Sequence, residues 1–338
     1  SLKLFAYSTH SPTEDKTTER LKKLFYKWLD ISTMTSTSAA QAIYNDNIHI
    51  LIDLGGHTAN NGLSTFAYKP APIQVTWLGY WASTGLSFID YFMADSIGLT
   101  KDKHHYFSEK IYYLPETRLC FTHPSDDIAP DVNILPALKN GYITFGCLQN
   151  LSKVNDESLQ RWSQIIKNCP NSKLMFKSPQ LKDALTKLEL IERLATFGIH
   201  EEQLLLEASG SYKEYFHSYH KVDFVLDTFP YPGGTTTCEA LWMGVPTLTL
   251  VGETVLQRQG YSMLYNAGLP DWVCFDENEY IKKAIAFAHN VPYLASLRQS
   301  LREQIKSSPL MDSARFAKHL EEALTDMWQQ YTSTLLHN

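Results

Sequence analysis

An apolar strand, a polar turn and an amphipathic helix follow one another repeatedly along this chain of 338 residues. Strand patterns fall at residues 2–7, 48–54, 73–78, 91–94, 142–147, 173–176, 203–206, 224–226 and 247–250. Helical patterns fall at residues 19–29, 38–45, 156–167, 181–197, 212–220, 236–243 and 256–267. Strands that alternate with helices pair in parallel and are covered by the helices on both faces. The sequence therefore predicts an α/β fold built on doubly wound parallel sheets.

The length indicates more than one domain, because single cores stop growing at roughly 250–300 residues. We expect an N-terminal lobe over residues 1–122, a Pro-rich linker over 123–137, a second doubly wound domain over 138–306 and a terminal helix over 307–338. The helical tail could cross back onto the first lobe, and two such units suggest a deep cleft for a ligand. A start directly on a strand, without Met, suggests a truncated first lobe and a piece of a longer protein.

Charge and cysteine content exclude several classes of partner and site. Lys and Arg total 30 against 36 Asp and Glu, so no general positive field attracts nucleic acid or an anionic membrane. No apolar stretch approaches the roughly 20 residues of a membrane span. The five cysteines are far apart and contain no CxxC pair, so neither a zinc site nor a disulfide framework is indicated. We expect a cytoplasmic protein that needs no cofactor.

The strongest local signal is a turn between a strand and a helix, formed by Gly233, Gly234, Thr235, Thr236 and Thr237. Glycines allow close approach of a ligand to the backbone, and the free N–H groups at a helix start bind phosphate. Glu239 follows one turn later, where its carboxylate could accept hydrogen bonds from a ribose. The same spacing, Thr236-x-x-Glu239, also fits a capping box without any ligand, and spacing alone does not separate the two.

Two other positions are candidates for ligand contact. Lys153 follows the first strand of the second domain, whose carboxyl end shares a rim with the Gly233 turn. The alternative for Lys153 is a solvated surface lysine. His57 lies in a glycine-rich loop, where it could donate to a ligand or move a proton. The dinucleotide pattern GxGxxG and the phosphate loop GxxxxGK[ST] are both missing, which disfavours hydride transfer and nucleotide hydrolysis.

Four long strings carry a family resemblance. They are DLGGHTANN at 53–61, KPAPIQVTWLGY at 69–80, LDTFPY at 226–231 and CEALWMGVP at 238–246. In this order they closely resemble the catalytic region of the O-linked N-acetylglucosamine transferase family, with the bacterial and SPINDLY-like members nearest in sequence. The resemblance spans about residues 1–330.

The resemblance implies a GT-B fold, in which two Rossmann-like domains face a cleft and the second one holds the donor nucleotide. It implies an inverting, metal-independent transfer of N-acetylglucosamine from UDP-N-acetylglucosamine to Ser or Thr hydroxyls of a protein. SPINDLY-like relatives that use GDP-fucose, relatives that glycosylate asparagine, and a donor-binding scaffold without catalysis are the alternatives. Family members often carry tetratricopeptide repeats upstream that select protein partners.

The resemblance also assigns roles to residues. Lys153 matches the lysine that contacts the donor phosphate, Asn150 stands near the donor-contacting amide, and Thr235 and Thr236 match the phosphate-binding threonines. Glu239 occupies the acidic ribose-binding position.

The chain departs from the family pattern at two places. Tyr215 stands where many members have a histidine that stacks on the base, although its helical spacing with Phe216 and Tyr219 also fits a core stripe. The His-Pro segment of the first lobe is not found, because His10-Ser11-Pro12 lies in a different context. His57 is then the remaining catalytic candidate of that lobe.

Overall fold

The computed structural model describes residues 2–10, 15–208 and 210–336. The chain divides into two units, one formed by Ser1–Arg118 together with Ala314–Asn338 and the other by Leu119–Ser313. Residues 123–137, expected to be a linker, therefore group with the second unit. Arg298 Nε donates to the Asn133 carbonyl there, at 3.0 Å.

The first unit contains two parallel sheets. Its elements in chain order are β1 Phe5–Ser8, α1 Lys16–Lys22, β2 Lys27–Asp30, α2 Ser36–Asn45, β3 Ile50–Asp53, α3 Leu63–Phe66, β4 Ile73–Thr76, β5 Tyr91–Asp95 and β6 Lys110–Leu114. Strand β1 pairs with β2, and a separate sheet has the order β3-β4-β5-β6. All of these pairs are parallel.

The second unit is built on one parallel sheet of six strands in the order β12-β11-β10-β7-β8-β9. Its elements are α4 Pro136–Asn140, β7 Thr144–Cys147, α5 Asp156–Asn168, β8 Lys173–Lys177, α6 Ala184–Thr196, β9 Leu204–Glu207, α7 Tyr212–Ser218, β10 Phe224–Leu226, α8 Thr235–Trp242, β11 Thr247–Leu250, α9 Val255–Asn266, β12 Val273–Cys274, α10 Glu277–His289 and α11 Val291–Lys306. The neighbours β7 and β10 lie centrally, and Phe145 and Phe224 on them are fully buried. This reversal of strand order beside β7 and β10 is the usual place for a ligand in an open parallel sheet.

The last helix, α12 Ser313–Leu336, packs on the sheet of the first unit. Ala323, Leu324 and Met327 are buried in one cluster with Val75 and Met93 of that sheet. Tyr112 on β6 donates from its hydroxyl to Asp326 at 2.8 Å. A helix at the end of the chain thus covers strands near its beginning.

Most predicted elements are present, but three strands differ from expectation. The predicted helix over 19–29 is wrong, because α1 ends at Lys22 and Lys27–Asp30 is strand β2. The sequence pattern missed β6 and the two-residue strand β12 altogether. Strands β10 and β11 have the predicted bounds.

Candidate functional site

Asp227 organises the carboxyl ends of three strands in the second unit. It follows the last residue of β10, and its side chain is only 3% exposed. Its Oδ1 accepts hydrogen bonds from Gln149 Nε2 at 2.6 Å and from the Gly233 N–H at 2.7 Å. Its Oδ2 accepts one from Thr249 Oγ1 at 2.7 Å. These bonds fix the start of the Gly233 turn, while burial raises the pKa of the carboxyl group.

The Gly233 turn leads into α8 without a capping side chain. Helix α8 begins at Thr235, its N-cap is Gly234, and no side chain caps it, so the capping-box interpretation of Thr236 and Glu239 is wrong. The N–H groups of Thr235 and Thr236 have no acceptor among the described residues. Unpaired N–H groups at a helix start, with the positive end of its dipole, favour an anion.

Residue 233 must be glycine because a side chain would not fit at this position. A Cβ at this position would lie 2.6 Å from Thr237 Oγ1 and 2.7 Å from Thr236 Oγ1, closer than real Cβ contacts. The hydroxyl of Thr237 is buried and has no hydrogen-bond partner in the described part of the chain. Two threonine hydroxyls are thus packed against the backbone of the turn.

The structure brings Lys153 to the same turn. Its Nζ donates to the Pro232 carbonyl at 3.2 Å and lies 3.8 Å from the centroid of the Tyr231 ring. No carboxylate in the described ranges forms an ion pair with this ammonium group. Burial lowers the pKa of Lys153, and the negative charge of Asp227 opposes that shift. Lys153 is therefore a half-buried cation that forms no direct ion pair with a described carboxylate, and the surface-lysine alternative is wrong.

Glu239 lies inside α8 beneath two tyrosines. It is 5% exposed, and its two oxygens accept hydrogen bonds from the Tyr212 hydroxyl at 3.0 Å and the Tyr215 hydroxyl at 2.7 Å. Burial raises its pKa, and both hydroxyl contacts oppose that shift. Tyr215 Oη also lies 2.7 Å from Tyr219 Oη, so this side chain belongs to a buried hydroxyl network.

Tyr212, which the sequence did not single out, is the exposed tyrosine of this group at 53%. Its ring is nearly parallel to that of Tyr215, with an interplanar angle of 4°. Asn150 is exposed, and its Oδ1 accepts the Ser152 N–H at 2.9 Å.

A second candidate site is the glycine-rich loop of the first unit. The Asp53 carboxylate accepts the Gly56 N–H at 2.9 Å and the Thr76 hydroxyl at 2.8 Å. Gly56 has φ +53, and a Cβ there would overlap the Tyr80 side chain. His57 Nε2 lies 2.7 Å from the Thr84 carbonyl oxygen. Because a carbonyl only accepts, the Nε2 atom carries hydrogen and Nδ1 of the neutral ring is left as an acceptor.

Among the residues that the structure describes, no group of three or more His, Cys, Asp or Glu side chains is placed to hold a metal ion. Over the same residues, no helix has both the length and the apolar character that crossing a membrane requires. The Ser11-Pro12 part of the His10-Ser11-Pro12 segment lies outside the described residues.

Comparison with known proteins identifies the family. The sequence pattern of glycosyl transferase family 41 matches residues 1–126 and 134–320. The chain belongs to glycosyl transferase family 41. The family resemblance given by the four sequence strings is therefore confirmed.

Relatives of known sequence cover almost the whole chain. It is 37% identical over 333 residues to the probable UDP-N-acetylglucosamine–peptide N-acetylglucosaminyltransferase SPINDLY of Solanum lycopersicum, covering 97% of this chain and 36% of that protein. It is 30% identical over 342 residues to the corresponding probable transferase SEC of Arabidopsis thaliana, covering 98% of this chain and 34% of that protein. The chain thus spans about a third of the length of these relatives.

Solved structures support the fold class. A mutant of the O-GlcNAc transferase from Thermobaculum terrenum is 33% identical with a TM-score of 0.92, covering 98% of this chain and 63% of that one. A sucrose-phosphate synthase from Thermosynechococcus elongatus matches with a TM-score of 0.59 at 10% identity, covering 99% of this chain and 89% of that one, which shows a shared fold alone. The predicted α/β fold of the GT-B class is confirmed.

Proposed function

We propose that this chain is the catalytic region of a transferase that moves N-acetylglucosamine from UDP-N-acetylglucosamine to Ser or Thr hydroxyls of a protein. The names of the SPINDLY and SEC relatives give UDP-N-acetylglucosamine as the donor and a peptide as the acceptor.

One observation in the second unit supports the proposal most directly. The uncapped start of α8 and the ammonium group of Lys153 both adjoin the turn at residues 232–235. They supply N–H donors and a positive charge that is not engaged in a direct ion pair with any described carboxylate. A nucleotide diphosphate fits this combination, because its charge grows when the sugar leaves.

The proposed reaction is a single displacement. The acceptor oxygen bonds to the anomeric carbon while the bond from that carbon to the β-phosphate oxygen breaks, which inverts the configuration. The electron pair of the broken bond stays on the nucleotide diphosphate, where Lys153 and the N–H groups of Thr235 and Thr236 stabilise it. The hydroxyl proton passes to a base, and Nδ1 of His57 is the candidate that the first unit offers. No metal or cofactor is needed in this scheme.

The remaining candidates are proposed to hold the nucleoside. Each Glu239 oxygen accepts one tyrosine hydroxyl and keeps a further lone pair for a ribose hydroxyl. Tyr215 supports that carboxylate, and the exposed Tyr212 ring is available to the base. Asn150 lies on the same strand-end loop as Lys153 and is exposed to a ligand. We also propose a cytoplasmic location, because the five widely spaced cysteines fit a reducing compartment.

Replacing Lys153 tests the proposal. We expect the chain to bind UDP more tightly than GDP, and Lys153→Ala to weaken UDP binding roughly 10- to 150-fold, because a charge-assisted contact of roughly 1.5–3 kcal/mol is lost. We expect turnover to fall by a further factor of about 10²–10³. Isothermal titration calorimetry measures the affinity, and intact mass spectrometry of a protein acceptor measures transfer and identifies the sugar by its mass increment.

Lys167→Ala is the matched control, because this exposed lysine lies in the last turn of α5, at the opposite end of the helix that begins just after Lys153. Unchanged UDP affinity and turnover in Lys153→Ala would overturn the assignment. Tight UDP binding without any mass increment would favour the donor-binding scaffold.

A further inference from the structure

The carbonyl of Pro232 receives two hydrogen bonds at the start of the Gly233 turn. Lys153 Nζ donates to it at 3.2 Å and Gln259 Nε2 donates to it at 2.9 Å. Gln259 lies in α9, is 4% exposed, and its Oε1 is buried without a hydrogen-bond partner among the described residues. A Cβ on Gly234 would lie 3.4 Å from that Oε1, so the amide reaches along the backbone of the turn.

Close packing of α9 places Gln259 there. The next residue, Gly260, faces Asp227 and Thr249, and a Cβ on Gly260 would overlap the Thr249 hydroxyl and approach Asp227 Oδ2 to 3.1 Å. Only glycine lets the helix lie this near to the side chains that fix Gly233. The close approach of α9 to Asp227 at Gly260 therefore also places Gln259 beside the Pro232 carbonyl.

The two donors differ in what a diphosphate would do to them. The ammonium group of Lys153 would turn towards the anion and release the Pro232 carbonyl. Gln259 is neutral and buried, so it would keep its bond. If Gln259 could not donate, the release of Lys153 would leave a buried carbonyl unpaired, which costs free energy on binding.

We propose that Gln259 is a positioning residue that shares the Pro232 carbonyl with Lys153 and so frees the ammonium group for the donor diphosphate. The inference rests on the proposed donor binding, and it adds a residue of α9 to that site. Gln259 acts through Lys153 and the turn, so its effect on donor affinity depends on the presence of Lys153.

A double-mutant cycle in the 338-residue chain tests this dependence. The UDP affinity of the wild type, Gln259→Leu, Lys153→Ala and the double variant is measured by calorimetry. We expect Gln259→Leu to weaken UDP binding about tenfold in the wild type, because binding then leaves the carbonyl unpaired. With Lys153→Ala already present, the carbonyl is unpaired before and after binding, so the added loss should be below about twofold.

Two further variants keep the result interpretable. Gln259→Met also removes the donor with an unbranched side chain and replaces the leucine variant if that one does not fold, as judged by circular dichroism. Tyr265→Leu is the control on the same helix, because Tyr265 is 51% exposed and its ring packs against Tyr261 within α9. It should leave UDP affinity unchanged in both backgrounds.

The outcomes separate the inference from the proposed function. An equal loss from Gln259→Leu with and without Lys153, or no loss at all, overturns the inference while donor binding stands. If the wild type binds GDP in place of UDP, the same cycle is measured with GDP. If the wild type binds neither nucleotide, the proposed function fails and the inference fails with it.

Discussion

Glu239 shows at the level of one residue how burial changes the chemistry of this site. Its carboxyl group is nearly closed to solvent, and burial raises its pKa above the ordinary value of 4.5. The folded chain therefore keeps this proton to a higher pH than the unfolded chain does. As pH rises from 4.5 through the folded-state pKa, the unfolding free energy contributed by Glu239 must fall.

Glu239→Gln makes that contribution measurable. The variant is neutral at every pH, so the stability of the wild type relative to it should decrease as pH rises above about 4.5 and level off above the folded-state pKa of Glu239. Urea denaturation at a series of pH values gives both free energies. Glu189→Gln, at an exposed position of α6, is the matched substitution measured for comparison. A stability difference that is constant with pH would contradict the proposed ionisation of Glu239.

The sequence predicted the meeting of Lys153 with the Gly233 turn, because loops after parallel strands share one rim. It did not predict Asp227 or Gln259 as partners of that turn. Asp227 follows the last residue of a buried strand, and that position was the available signal. Gln259 had none, because its burial depends on how closely α9 packs, and helical periodicity does not report that distance.

Among the secondary-structure elements, the segment at 19–29 shows how a local sequence pattern can predict a helix where a strand forms. Leu21, Leu24, Phe25, Trp28 and Leu29 recur at helical spacing. The structure nevertheless ends α1 at Lys22 and pairs Lys27–Asp30 with β1 in parallel. Aromatic residues favour strands, and pairing with a distant strand outweighs a marginal helical pattern. Local spacing therefore assigned the wrong element, although the neighbouring helix α2 was predicted.

Gly56 in the glycine-rich loop and Gly85 further along the chain together test how backbone angle and packing each restrict a glycine position. Gly56 and Gly85 both have positive φ, at +53 and +69, but a Cβ meets Tyr80 at the first and nothing within 4 Å at the second. We expect Gly85→Ala to cost about 1–2 kcal/mol from the left-handed conformation alone. Gly56→Ala should cost about 1–3 kcal/mol more, because Tyr80 must move.

Chemical denaturation of the two alanine variants measures both costs. The pair is matched in substitution and in the sign of φ, so the difference isolates the contact with Tyr80. Equal destabilisation of both would show that Tyr80 yields without cost and that Gly56 is required only for its backbone angle.

At the scale of the whole molecule, the sequence predicted two α/β units and a helical tail. The sequence raised the packing of α12 on the first lobe only as a possibility, because an amphipathic pattern shows an apolar face but not the surface that the face packs against. The buried clusters of the structure show which unit α12 belongs to. Met327 is fully buried against the sheet of the first unit, whereas Phe145 and Phe224 belong to the separate core of the second.

Met327→Ala should therefore weaken one unit and spare the other. Removing this fully buried side chain leaves a cavity beside Val75 and Met93, which costs about 2–5 kcal/mol. Hydrogen exchange followed by mass spectrometry should show lost amide protection in β4 and β5 and unchanged protection in β7 and β10. Leu335→Ala, at a position of α12 that is 59% exposed, should change neither. Equal loss of protection in both units would mean that they unfold together, so that α12 stabilises the molecule as one cooperative structure.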